Sequence, residues 1–433
     1  MITKQLIDQI EGEASIYFEM KKDKVDFATI AFPHFRGMES ILKAKPALDA
    51  LVITPRVCGI CGHAHLMASV RAIESAYANA NKSVHLSAKA ENIRELTLVL
   101  EMIQNHFKWI YLVIMPELAK LTNSKRTLTP LKGAYAASIA TKALALFAGQ
   151  WPHSSYMLPG GVTCDVTHLE RIKAQGYIDE LIAFFQKESF GIDLETFLSY
   201  TSCGELATLN SDIGCIEKEL IQMGMHQKGF AHDRYISMGE HRFTTKAKVS
   251  QTRHSSIDDK YVTTENAFCP SATSFAKNAL YKDSYYETGP LARAMASNIS
   301  MIKNIHRRYK DSAYSRVIAR IYETAQLLDH AKTLVSNLSL DDDSLSTPLP
   351  IEEISSHGVG IVEAPRGPLM HRISIRQGLI QEYEIITPTQ WNIGSSSYQN
   401  PTPAQKAMTG ARSKEEALFI FRSFDVCSVC TTH

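Results

Sequence analysis

Two pairs of cysteines stand near opposite ends of the chain, Cys58/Cys61 and Cys427/Cys430, each with the spacing Cys-x-x-Cys. Two thiolates so spaced can grip one soft metal ion from a single turn of backbone. The first pair lies in Pro55-Arg56-Val57-Cys58-Gly59-Ile60-Cys61-Gly62-His63-Ala64-His65, where glycines let the chain fold closely round a metal. Arg56 can hold the negative charge of such a site, and His65 can donate a hydrogen bond to a sulfur and tune it. The second pair lies in Phe424-Asp425-Val426-Cys427-Ser428-Val429-Cys430-Thr431-Thr432-His433. A metal there would order both the imidazole and the carboxylate of His433.

Taken alone, four such cysteines suggest a structural zinc site. Spacing weighs against it. Zinc ribbons bring their pairs within about 15–20 residues of each other, whereas Cys61 and Cys427 are 427 − 61 = 366 positions apart. A thioredoxin-like redox motif would need a βαβ context that neither pair has. Cys164, Cys203, Cys215 and Cys269 are scattered, and a chain of 433 residues, 45% hydrophobic, has core enough without a disulfide framework.

The elements that must position these cysteines are mainly helical. A hairpin is expected over Ala14–Met20 and Val25–Phe32, with a polar turn at Lys21–Lys24. Helical spacing of apolar residues runs through Leu66–Ala80, Leu131–Trp151, His168–Glu188, Pro290–Arg308 and Ala313–Leu338. A longer run covers Leu86–Leu121, with Pro116 expected to kink or interrupt it. Met223–Asn266 reads as strands and turns, and Leu338–Pro350 as a polar surface loop. The fold class is therefore mainly α with small β elements (α+β), its long helices bundled round one core. Residues 1–433 form one domain with an N-terminal hairpin, a central helical bundle and a C-terminal metal-binding segment. Lys+Arg 46 against Asp+Glu 45 gives a net charge of +1, which speaks against nucleic acid or an anionic membrane as partner. The most apolar run, Trp109–Met115, is far short of the roughly 20 residues that span a bilayer.

The two cysteine segments resemble the paired nickel-binding motifs of nickel–iron hydrogenase large subunits. Arg56, Cys58, Gly59, Cys61 and His65 match the first motif at every fixed position, and Asp425, Cys427, Cys430 and His433 match the second. Val426 stands where that motif has proline. Further segments follow in family order: Ile10-Glu11-Gly12, Phe35-Arg36-Gly37-Met38-Glu39, His153 with Pro159–Thr163, Gly289–Arg293, Glu363–Gly367 and Pro388–Asn392. His106 matches a family helix near the site, and Asn105 stands where relatives often have aspartate. His106, His153 and Arg293 fit a plain role as satisfied polar groups between packed helices equally well.

The resemblance implies reversible heterolysis of H2 at a nickel–iron centre whose iron carries carbon monoxide and cyanide. By position, all four cysteines bind nickel, and Cys61 and Cys430 also bridge to iron. Cys427 is the first proton acceptor, Arg366 orients H2 and stabilises charge, and Glu11 relays the proton. Thr389 hydrogen-bonds a cyanide. Glu39, the carbonyl of Ile385 and His433 hold a magnesium ion near the C-terminus, an oxygen-rich setting suited to that cation. Electrons pass to an iron–sulfur small subunit in a heterodimer within a larger assembly. A hydrogen-sensing subunit and a zinc-stabilised scaffold are the alternatives. The modest chain length, and an opening MITKQLIDQIEGEAS without an apolar stretch, point to the cytoplasm.

Overall fold

The computed structural model describes residues 2–6, 12–124, 129–238, 248–250, 257–270 and 272–430. An antiparallel sheet of β1 (Ile2–Leu6), β2 (Ser15–Lys21) and β3 (Lys24–Ala31) opens the chain. β2 and β3 are the expected hairpin, turning through Lys22 and Asp23 at positive φ. A short helix α1 (Met38–Leu42) follows, then α2 (Gly62–Asn79). α2 begins four residues before the periodic pattern, because its N-cap is Cys61 itself.

The run over 86–121 is α3 (Ala88–Trp109), a π-helical stretch Ile110–Ile114 and α4 (Met115–Thr122). The Ser87 hydroxyl starts α3 by accepting the Ala90 N–H at 3.1 Å. Pro116 falls in the first turn of α4, where its missing N–H costs little. The widened turns before it absorb the break. α5 (Pro130–Ala148) and α6 (His168–Phe184) come next. The helix expected over 290–308 is two, α7 (Pro290–Ala296) and α8 (Ser300–Tyr309), parted at Asn298 with φ 59°. Asparagine tolerates that left-handed geometry at a helix end. α9 (Ala313–Ser336) completes a bundle with α3, α5 and α6. Ala136, Ala140 and Ala143 of α5 are fully buried, so small side chains let these helices approach closely. Between α6 and α7, β4 (Val262–Asn266) pairs with β5 (Lys277–Tyr281).

One sizeable element carries no forewarning in the sequence. β6 (Ser356–Ala364), β7 (Gly367–Arg376) and β8 (Leu379–Ile386) form a second antiparallel sheet, and β6 lies directly on α2. Alternation puts Gly358, Gly360 and Val362 on one face of β6. A Cβ on Gly358 would sit 2.0 Å from the Ala72 carbonyl, and one on Gly360 2.0 Å from that of Ala68. Only glycine allows strand and helix to meet so closely.

The segment 338–350 lies at the surface as expected but is pinned. Val162 N–H donates to Ser344 O at 2.9 Å, and Ser346 N–H to Gly160 O at 3.0 Å. After β8 come α10 (Pro388–Asn392), α11 (Lys414–Arg422) and a 3-10 turn Ser428–Cys430. No helix among the described residues is long and apolar enough to cross a membrane. The architecture is α+β and mainly helical, as the sequence pattern indicates.

Candidate metal centre

The α2 N-terminus and the turn after α11 meet in the interior. Cys58, Cys61, Cys427 and Cys430 are at most 5% exposed. The sulfur of Cys58 lies 3.7 Å from that of Cys427, Cys61 3.9 Å from Cys430, and Cys427 3.0 Å from Cys430. Such gaps suit sulfurs bonded to one ion at about 2.3 Å, a usual metal–thiolate length. The Ile60 and Cys61 amides donate to Cys58 Sγ at 3.4 and 3.3 Å. Burial opposes ionisation of Cys58, but hydrogen bonds from Cys427, Cys430 and Cys61, aided by Arg366, hold its pKa well below the usual thiol value. Cys427 is pushed well above it by burial. In Cys61 the bond with Cys430 favours the thiolate, yet Cys58 and burial together raise it; in Cys430 the bonds with Cys427, Cys58 and Cys61 do so. The cluster therefore yields one proton readily and the rest reluctantly. A soft cation supplies the charge that four thiolates need.

The guanidinium facing the sulfurs belongs to Arg366, in the two-residue turn between β6 and β7. Arg56, the sequence-level candidate for that charge, is exposed and donates to the Val52 carbonyl instead. Arg366 Nε donates to Asp425 O at 3.1 Å and Nη2 to Asp425 Oδ1 at 3.2 Å. Burial works against its charge, but Asp425 and the nearby cysteines keep it firmly protonated. Asp425 Oδ2 also meets Arg320 at 3.0 Å. The Asn105 carboxamide lies between the pair: oriented with its nitrogen towards Asp425 Oδ2 (3.0 Å) and its oxygen towards Arg366 Nη2 (3.2 Å), it satisfies both. A neutral amide thus serves where the family often has a carboxylate. Arg366 Nη1 and Thr389 Oγ1 are buried without a protein partner. Two orphaned donors beside buried sulfurs fit a site made for more than a bare ion.

Behind this layer runs a buried ionic lattice. Arg293 Nε and Nη2 bind Glu323 at 2.6 and 2.7 Å, and its Nη1 binds Glu363 at 2.8 Å. His106 donates from Nε2 to Glu323 at 2.8 Å and accepts Arg320 Nη1 at Nδ1, 3.0 Å away. Burial, then Arg320, lowers the His106 pKa to about 4, so the ring is a neutral link. His153 Nδ1 lies 3.0 Å from the Pro55 carbonyl, at the start of the first cysteine segment.

Glu39 meets Lys277 of β5 at 2.9 Å through Oε2 and accepts the Ile385 N–H at 2.9 Å through Oε1. His65 pairs with His371 at 3.1 Å. Glu11 and His433 lie outside the described residues. A Cβ on Gly12 would fall 2.2 Å from Ser428 Oγ, so the backbone just after Glu11 runs against the second cysteine turn.

Sequence reasoning missed Glu101 of α3. Its carboxylate is fully buried and accepts the His63 and Ala64 amides at 2.9 and 3.1 Å and Trp151 Nε1 at 3.2 Å. It thereby ties down the first turn of α2 beside Cys61. Burial raises its pKa to about 8 and lowers that of the adjacent His63 to about 3. The only clue was a carboxylate in the otherwise apolar run Leu98–Ile103.

These features define a candidate metal centre lined by four buried cysteine sulfurs drawn from two remote segments. The sequence profile of the family described as nickel-dependent hydrogenase matches residues 36–118 and 131–433, and the chain belongs to that family. The large subunit of the periplasmic NiFeSe hydrogenase of Desulfomicrobium baculatum is 25% identical over 493 residues, spanning 99% of this chain and 93% of that protein. The hydrogenase-2 large chain of Escherichia coli K12 is 22% identical, spanning 100% and 97%. The reduced Ni-Fe-Se hydrogenase of D. vulgaris Hildenborough superposes with a TM-score of 0.83 at 19% identity, over 100% of both chains, which shows the shared fold. The chain is a hydrogenase large subunit, the H2-cleaving oxidoreductase component built round a nickel–iron centre and paired with a small subunit.

Proposed function

We propose that Cys58, Cys61, Cys427 and Cys430 would hold nickel, and that Cys61 and Cys430 would also hold iron, in one large-subunit domain spanning 1–433. Four buried sulfurs linked through three contacts of 3.0–3.9 Å carry this reading. Carbon monoxide and cyanide would be the iron's remaining ligands. Thr389 and the backbone beside Arg366 bond the cyanides, an assignment supported by the partnerless Thr389 Oγ1. When bound, the nickel–iron centre supplies the electron-accepting half of H2 heterolysis. The chain supplies the proton half. Cys427 Sγ takes the proton, because the Arg366 guanidinium remains charged and cannot act as base. Arg366 instead stabilises charge over the sulfurs. Glu11 carries the proton onward, supported by the packing of Gly12 on Ser428.

Glu39, Ile385 and His433 are our candidates for magnesium ligands. The Lys277 ammonium weighs the other way, since it already neutralises Glu39. Electrons leave through an iron–sulfur small subunit, which is in keeping with the scattered positions of the other four cysteines. Metal analysis and infrared spectra of the purified complex test the reading. One nickel and one iron per chain, with bands from metal-bound carbon monoxide and cyanide, are expected. Stoichiometric zinc without those bands would overturn it.

A further inference from the structure

The helix that carries Cys61 is capped from outside. A helix N-terminus leaves its first amides without helical acceptors. The usual remedy is the side chain of the N-cap residue, reaching back to the second or third amide. The N-cap of α2 is Cys61, so the default acceptor is its sulfur, yet α2 has no such bond. Its second and third amides, those of His63 and Ala64, are taken instead by Glu101 of α3, at 2.9 and 3.1 Å. Glu101 is fully buried. Its oxygens accept these amides whether or not the carboxyl carries a proton, because a hydroxyl oxygen keeps acceptor capacity. Cys61 itself adopts φ −120° and ψ 35°, outside the extended geometry of a self-capping residue. Its sulfur faces Cys430 Sγ, 3.9 Å away.

The two sulfurs of the first pair therefore differ. Cys58 Sγ accepts the Ile60 and Cys61 amides at 3.4 and 3.3 Å. Cys61 Sγ accepts no amide of the described residues, and its neighbours are the sulfurs of Cys430 and Cys58. An N–H···S bond draws electron density from a sulfur and weakens it as a donor to metal. The sulfur assigned to one metal carries two such bonds, and the sulfur assigned to two metals carries none.

We propose that Glu101 is a positioning residue: by capping α2 in place of the N-cap side chain, it keeps the Cys61 sulfur free of backbone hydrogen bonds and wholly available to metal. The exchange of caps stands on the hydrogen bonds alone; its effect on iron rests on the bridging role proposed for Cys61.

Crystal structures and infrared spectra of the Glu101→Gln and Glu101→Leu complexes test this, with nickel and iron measured on the same samples. Glutamine offers one acceptor oxygen, its nitrogen being a donor only, and leucine offers none. The released amides are expected to bring the Cys61 sulfur within hydrogen-bond distance. A sulfur so bonded gives less density to iron, and iron then gives less to carbon monoxide. The carbon monoxide band should move to higher wavenumber, further in Glu101→Leu than in Glu101→Gln. Trp151→Phe removes the third donor to Glu101, Nε1 at 3.2 Å, and is expected to move neither sulfur nor band. A Cys61 sulfur still free of amides in both glutamate variants would overturn the proposal. So would equal band shifts in the two, which the lost charge alone would give, or a capped sulfur with an unmoved band. If Glu101→Leu does not assemble, Glu101→Gln against wild type decides by the same two readings. A wild-type complex without carbon monoxide bands would refute the nickel–iron reading instead, and the position of the sulfur in the variants would still decide the cap.

Discussion

Replacing Gly360 by alanine is expected to disturb the metal centre from a strand that holds none of its ligands. The added Cβ would lie 2.0 Å from Ala68 O and 2.4 Å from Ala72 N, both backbone atoms of α2. Ordinary contact begins near 3.4 Å, so β6 and α2 must part by about 1.4 Å. Overpacking of this kind costs roughly 1–3 kcal/mol. The displaced helix carries Cys61 at its N-cap, and the Cys61 sulfur lies only 3.9 Å from that of Cys430. A misplacement on the order of 1 Å can cost about a hundred-fold in rate. Thermal unfolding of the complex, nickel content and H2-driven dye reduction report the three effects separately. Gly176→Ala is the control, since nothing lies within 4 Å of its Cβ on exposed α6. It should be neutral or stabilising by about 0.5–1 kcal/mol. A Gly360→Ala complex with wild-type melting, nickel and rate would refute the claim that strand and helix bear on each other.

Other perturbations reach different parts of the molecule. The Glu101 pKa, raised by burial from 4.5 to about 8, means that the folded state holds its proton more tightly than the unfolded one. Stability should therefore fall as pH rises through that window, by roughly 5 kcal/mol in full, and Glu101→Gln should flatten the slope; equal slopes measured from pH 5 to 9 would contradict this. Arg293→Met strands the Glu323 and Glu363 carboxylates in the interior and should cost roughly 3–5 kcal/mol; a melting curve indistinguishable from wild type would count against the lattice. Glu11→Gln should leave both metals bound while hydrogen–deuterium exchange slows severely, and unchanged exchange would remove Glu11 from the proton route.

The four cysteines were legible as candidate metal ligands because their chemistry is local. Two cysteines within one turn announce themselves without a fold. The long helices were legible because α3 and α9 repeat their apolar residues over many turns. Their irregularities were less so: the π-helical stretch at Ile110–Ile114 answers to Pro116, yet where the turns widen is decided by packing. The second sheet escaped because Gly358 and Gly360 break the β-branched pattern that would have marked β6. Glu101, Lys277 and His371 stayed hidden for a different reason. Each acts on a residue far away in sequence, and one chain read alone gives no sign of such pairs.

The 366 positions between Cys61 and Cys427 are also an interval of time. At about 5–20 residues per second, the ribosome needs roughly 20–70 s to cross it. Throughout that interval the first pair is a set of open thiols on a growing chain, a half-site that zinc or copper can bind as well as nickel can. Only when the second pair emerges does the full four-sulfur set exist. Fidelity for nickel is thus a problem of scheduling as much as of affinity, and the cell must either shield the early cysteines or deliver the metal after the last ones have folded in.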